Sequence, residues 1–207
     1  MKNIITAIAS VAISSVASAA LVSTDWQAAG DNLITEDTVT GLSWLDLSET
    51  YGIPFTTAST EFGVGGQFEG FRYATDAEVE NLWLNFGIDL SAGATTSVGG
   101  WDAGVETAAN LLGNTWNTYA WWDYPFGVSG ITATVNGTGH NAMGAYQTDW
   151  GTTTYETSGT IVVGDSLSNI QPYGSYLVLD AAVPVPAAAW LFGSALVGLL
   201  GFRVKRS

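Results

Sequence analysis

The stretch Thr75-Asp76-Ala77-Glu78-Val79-Glu80-Asn81-Leu82-Trp83-Leu84-Asn85-Phe86-Gly87 decides how this chain is read. Thr75 and Glu78 have the spacing of a capping box, in which the hydroxyl accepts from a backbone N–H of the first turn and the glutamate reaches back to the cap. Val79, Leu82, Trp83 and Phe86 fall at i, i+3, i+4 and i+7, one apolar stripe of a helix. Gly87 stands where a left-handed stop belongs. The spacing predicts an amphipathic helix over Asp76–Phe86.

Working outward, a second helix is expected over Asp102–Leu112, with Asp102 and Glu106 in its early turns and Gly113 after its end. A shorter one is expected over Thr56–Phe62. Between Asn32 and Leu47 turn residues surround alternating apolar ones, and period two puts Leu42 and Trp44 on one side of a strand. Beyond Gly113 the pattern changes to strands at Tyr119–Trp122, Ile131–Val135, Ala142–Gln147, Gly159–Val163 and Ser175–Leu179, separated by Gly, Asn and Ser. No internal repeat of about 20–50 residues interrupts this order. The class is α+β, with early helices packed on a mainly antiparallel sheet that forms late.

Charge narrows the function. The chain holds 5 Lys+Arg against 19 Asp+Glu. Lys2 lies at one end and Arg203, Lys205 and Arg206 at the other, which leaves Arg72 alone among all 19 acids and gives Asp25–Asp180 a net charge of −18. Such a field repels nucleic-acid phosphates and anionic headgroups, so no nucleic acid is expected as a partner. With no cysteine, disulfides, thiolate metal sites and cysteine nucleophiles are excluded. A single histidine, His140, rules out a multi-histidine metal site, and no cofactor is expected.

The two ends read as addresses. Residues 1–20, MKNIITAIASVAISSVASAA, combine an early lysine, a moderately apolar stretch and small residues at Ala17–Ala20, the layout of a signal peptide cleaved after Ala19 or Ala20. Residues 187–202, AAAWLFGSALVGLLGF, carry no charge and would span about 24 Å as a helix. The basic end Arg203, Lys205 and Arg206 follows at once and holds its side of the membrane in the cytoplasm. Just before the span stands Val183-Pro184-Val185-Pro186-Ala187, whose two prolines impose an extended stretch poor in hydrogen bonds. The organisation expected is a signal peptide (1–20), an acidic extracellular domain (21–182) and a C-terminal segment (183–207) with a transmembrane helix.

The Pro-x-Pro box, the Gly- and Leu-rich apolar helix and the Arg/Lys end together resemble the PEP-CTERM sorting signal in its VPxPA variant, with Val185 where the commonest form has glutamate. That resemblance implies processing near the box by an exosortase, with the inner membrane as a transient anchor. It also implies delivery to the cell surface or medium of an exopolysaccharide-producing bacterium, often in biofilm. A second, looser likeness concerns Asp37-x-x-Thr40-Gly41-Leu42-x-Trp44-Leu45-Asp46 and Gly65-Gly66-x-Phe68-x-Gly70-Phe71-Arg72-Tyr73-Ala74-Thr75. These are similar to a domain common among PEP-CTERM proteins and to DUF1566 domains, which implies a C-type-lectin-like fold.

Several side chains are candidates for chemistry. Arg72, the lone cation, suits either an anion clamp or a structural ion pair, and its aromatic neighbours Phe71 and Tyr73 suit burial. Trp116, Tyr119, Trp121, Trp122, Asp123, Tyr124 and Phe126 place rings beside an acid, as sugar-binding sites do and as cores also do. Trp121, Trp122, Asp123 and Tyr124 are the glycan-binding candidates. His140 sits in a loop-like Gly-Thr-Gly-His-Asn, without a nucleophile elbow for a triad. Glu61 with Glu69, or Asp76 with Glu78, are the nearest approach to a calcium site, though no EF-hand pattern accompanies them. Asn136-Gly137-Thr138 fits a glycosylation sequon. No catalytic residue is assigned. The expectation is a non-enzymatic surface or matrix protein, with a glycan-binding module and a secreted glycan-acting hydrolase as alternatives and exopolysaccharide as the candidate ligand.

Overall fold

The computed structural model describes residues 21–91, 96–116, 125–148, 151–164 and 173–180. Two five-stranded sheets and three α-helices make up this part of the chain, an α+β architecture. The first sheet contains β1 (Leu21–Thr24), β2 (Ile34–Asp37), β3 (Ser43–Leu45), β4 (Arg72–Tyr73) and β10 (Leu177–Leu179), in the order β1-β2-β3-β10-β4. The second contains β5 (Thr96–Gly99), β6 (Phe126–Asn136), β7 (Gly139–Thr148), β8 (Thr152–Gly164) and β9 (Gly174–Ser175), in the order β5-β8-β7-β6-β9. All pairings are antiparallel except β6 with β9.

The helix that anchors the reading forms as α2 (Asp76–Leu84), and both halves of its capping box are present. It stops two residues earlier than the apolar period alone implies. The N–H groups of Asn85, Phe86 and Gly87 bond to carbonyls three residues back, so the last turn tightens before Gly87 takes a positive φ of 80°. Phe86 still packs on Trp83, ring centroids 5.7 Å apart. α3 (Ala103–Leu112) begins at Asp102, whose carboxylate accepts from Gly104 N at 2.8 Å. α1 (Phe55–Thr60) starts one residue before its expected span and ends two residues short of it.

The largest core gathers Val79, Leu82 and Trp83 of α2 and Val105, Ala108 and Leu112 of α3. Trp44 and Val178 of the first sheet join them, with Val128, Met143 and Ala145 of the second. Leu42 and Trp44 both pack here, as period two requires. Their neighbour Leu45 joins a separate cluster with Ile34, Phe68, Phe71, Tyr73 and Leu177 under α1. The central strands of the first sheet are therefore buried on both faces.

Three differences from the sequence expectation share a cause. β1, β4 and β5 have four, two and four residues, too few for alternation to rise above the background. The expected strand Ser175–Leu179 is divided at Tyr176, and its two halves serve different sheets. Tyr176 makes the crossing. Its N–H bonds Ile131 O, its carbonyl accepts from Ala74 N, and its buried hydroxyl accepts from Trp83 Nε1 at 2.9 Å. The expected strand Tyr119–Trp122 lies outside the described residues.

Candidate functional site

Register places the side chains of the second sheet. Val128, Ala145 and Tyr155 stand opposite one another and face the helices. The alternate positions form rows on the outer face: Gly127, Tyr146 and Thr154 in one, Ser129, Gly144 and Glu156 in the next. Glycine in these rows makes room for a ring at Gly127 and for the neighbouring strand at Gly144. A Cβ on Gly127 would lie 2.5 Å from Trp116 Cδ1, and one on Gly144 would lie 2.0 Å from Val128 O. Trp116 lies over this face, stacked on Tyr146 at 3.8 Å between centroids, with its Nε1 donating to Ser129 Oγ at 2.9 Å.

Trp121, Trp122, Asp123 and Tyr124 lie outside the described residues, as does Tyr119. The two ends of their segment are described, and they are clamped together. Asn114 Nδ2 donates to Pro125 O at 2.8 Å, while its Oδ1 accepts from Trp116 N and Gly127 N. Thr115 adds a backbone bond to Gly127 O and takes one from Ser129 N. Trp116 and Pro125 are therefore held near one another on the outer face, beside the Trp116–Tyr146 stack.

Beneath that stack lies an acid the sequence reading passed over. Glu156 is 4% exposed and accepts from Tyr173 OH at 3.2 Å, with Ser129 in the same cross-strand row, while its Oε2 has no hydrogen-bond partner. Burial pushes its carboxyl up to about 7. Its setting, Thr152-Thr153-Thr154-Tyr155-Glu156-Thr157, reads as a polar strand with nothing to mark one acid as buried. Asn114 gave no stronger signal, because asparagine after a helix stop is ordinary turn chemistry.

The other candidates are taken up by structure. Arg72 is half-buried, bonding Glu78 Oε1 at 2.7 Å and Asp180 Oδ1 at 2.6 Å, so the ion-pair reading holds while full burial does not. The pairing holds the Glu78 carboxyl down at about 2, its bond from Arg72 outweighing desolvation. His140 stands on β7, not in a loop, and stacks on Phe55 at 3.6 Å; Val135 and Asn136 of β6 extend far enough to pair it. Glu61 and Glu69 each accept a backbone N–H within their loop, from Gln67 and Gly65. Asp76 accepts from Thr132 Oγ1 and from Asn141 Nδ2, and Glu78 completes the cap. Among the described residues no three His, Asp or Glu side chains are grouped to hold a metal ion. Asn136 of the sequon donates its amide to Asn141 Oδ1.

Two open clefts flank the turn after β2. One, of about 410 Å³, is lined by Glu36, Asp37, Thr38, Gly41, Ser43, Leu179 and Asp180; the other, of about 340 Å³, by Asp37, Val39, Thr40, Asn81, Leu84 and Asn85. Asp37 divides them and is fully bonded, to Val39 N, Thr40 N and Asn85 Nδ2. The Asp37-x-x-Thr40-Gly41 string thus builds a turn and locks it to the end of α2.

The sorting-motif residues Val183, Pro184, Val185, Pro186 and Ala187 and the basic residues Arg203, Lys205 and Arg206 lie outside the described residues. Among those that are described, no helix is long and apolar enough to cross a membrane. Compared with protein-family models, curated proteins and solved structures, the chain matches none.

Proposed function

We propose that this chain is an exported bacterial surface or matrix protein without enzymatic activity, carried by a signal peptide over 1–20 and sorted through an exosortase signal over 183–207. One observation carries the reading. A Pro-x-Pro box, an uncharged apolar stretch and a basic end follow one another in the order that a membrane-bound processing enzyme would meet them. Among the described residues, the elements β1 to β10 fall between Leu21 and Leu179, the span expected for the mature domain. The span over 187–202 serves as the transient anchor, and the domain lies outside. Removing Val183–Ser207 is expected to change where the protein fractionates while its circular dichroism stays the same. Unchanged fractionation would count against the sorting role.

The Asn114 clamp favours a second reading, a glycan-binding module. A segment carrying Trp121, Trp122, Asp123 and Tyr124 is held at both ends on a rigid sheet, an arrangement suited to presenting flat rings to the faces of sugars. Exopolysaccharide is the ligand class in this reading, and retention on it should be saturable and lost in Trp121→Ala or Trp122→Ala. Folded protein that is retained on no exopolysaccharide would remove this reading. We also propose a C-type-lectin-like arrangement, supported by the two motif stretches becoming neighbours, since β3 and β4 both pair with β10.

A further inference from the structure

We propose that Glu156 is a proton-operated latch on the outer face of the second sheet, closing that face when its carboxyl is protonated and loosening it when the carboxylate forms. A carboxylate has two oxygens that together want several donors, and a buried one wants a cation as well. Glu156 receives one bond, from Tyr173 OH, with the Ser129 hydroxyl as its neighbour across the sheet, and its second oxygen receives none.

No cation can come to it from the domain. Arg72 is the only basic residue between Lys2 and Arg203, and it is held by Glu78 and Asp180. Among the described residues, the groups beside Glu156 are the Ser129 hydroxyl from β6, the bare backbone of Gly144 from β7 and the Tyr173 phenol just before β9, while the Tyr176 phenol lies on the helix-facing side against Trp83. Tyr176 is itself pushed upward by burial and stays neutral. The remaining way to bury this acid without cost is to keep its proton.

Its partners hold the surface together. Tyr173 packs with Ile131 and Ala142, and Ser129 passes the connection to the indole of Trp116, which sits beside the clamped ends of the aromatic segment. Charging Glu156 therefore strains Tyr173 and Trp116 together.

The sign follows from linkage. The folded carboxyl titrates near 7, above the ordinary value of 4.5 that the unfolded chain keeps. Below 4.5 both states hold the proton and the full stability is present. Between 4.5 and 7 the unfolded state releases its proton first, so stability falls as pH rises, and above 7 the loss is complete. Over that window the folding equilibrium constant should drop on the order of a hundredfold.

The test is urea unfolding of the full chain from pH 5 to 8, followed by tryptophan fluorescence, for the wild type, Glu156→Gln and Tyr173→Phe. Hydrogen exchange over residues 114–130 and 173–176 accompanies it. The wild type is expected to lose about a hundredfold in folding constant relative to Glu156→Gln across this range, with exchange in both segments accelerating in step. Tyr173→Phe, which removes a donor to the carboxylate, is expected to move the midpoint to higher pH, and it provides the answer should Glu156→Gln not fold. Parallel profiles for wild type and Glu156→Gln, or an unmoved midpoint in Tyr173→Phe, would overturn the latch.

Discussion

Glu78 meets several demands with one carboxylate. It accepts from the N–H and hydroxyl of Thr75, closing the cap of α2, and it takes two bonds from Arg72. Arg72 in turn reaches Asp180, just after β10, so a single guanidinium joins the first sheet, the helix cap and the residue following β10. Because Arg72 and Asp180 are substantially exposed, solvent screening keeps that outer pair weak. The inner part should be measurable. Glu78→Gln is expected to cost about 1–2 kcal/mol at pH 7, from the lost charge-assisted bonds to Arg72, since glutamine can still complete the capping box. Glu78 titrates near 2 in the fold against an ordinary 4.5. Its contribution is therefore present above 4.5 and disappears as pH falls through 2. Thermal melts of both proteins should differ at pH 7 and converge near pH 2; a gap that persists at pH 2 would show that the loss is one of packing.

At the scale of elements, what could be read from the sequence followed the length of each signal. α2 carried a cap, an apolar stripe and a stop, and α3 a cap and a stop, so both were placed to within two residues. The expected strands cover the middle of β7 and only the C-terminal halves of β6 and β8; β6, β7 and β8 extend to 11, 10 and 13 residues because pairing continues through glycines and threonines with no apolar period. The split at Tyr176 had no local signature. Only the bonds to Ile131 and Ala74, distant in sequence, determine that β9 and β10 part. The candidate site was legible as an aromatic cluster, whereas its supports, Asn114 and Ser129, are ordinary polar residues until the fold brings them together. Two substitutions test those supports. Asn114→Ala removes three hydrogen bonds at the base of the segment and should cost roughly 1–3 kcal/mol in urea unfolding. Gly127→Ala would place a Cβ 2.5 Å from the Trp116 ring and 2.6 Å from Tyr146 Cβ, which neither neighbour can yield without unstacking. A loss of about 2 kcal/mol or more, with a shifted tryptophan emission, is expected. Native emission and stability in Gly127→Ala would mean that Trp116 is not seated over the sheet.

For the molecule as a whole, charge and topology bear on the same account. The acidic stretch Asp25–Asp180 repels an anionic membrane surface, so under the proposed sorting role attachment is assigned to the apolar stretch over 187–202 and its basic end rather than to the domain. β10 ends three residues before Ala182, in the middle of the first sheet, between β3 and β4. Only about 14 Å of extended chain separates Asp180 from Pro184, so the folded domain stands close to the box that an exosortase would read. Removing the tail beyond that box takes away no strand or helix described here. Intact mass of the protein recovered from the envelope and medium of an exosortase-bearing host tests the central claim most directly. The account predicts a species that begins at Ala20 or Leu21 and ends in the neighbourhood of Pro184–Ala187, with or without an added group. A species that still carries Arg203–Ser207 would contradict it and make the tail a permanent anchor.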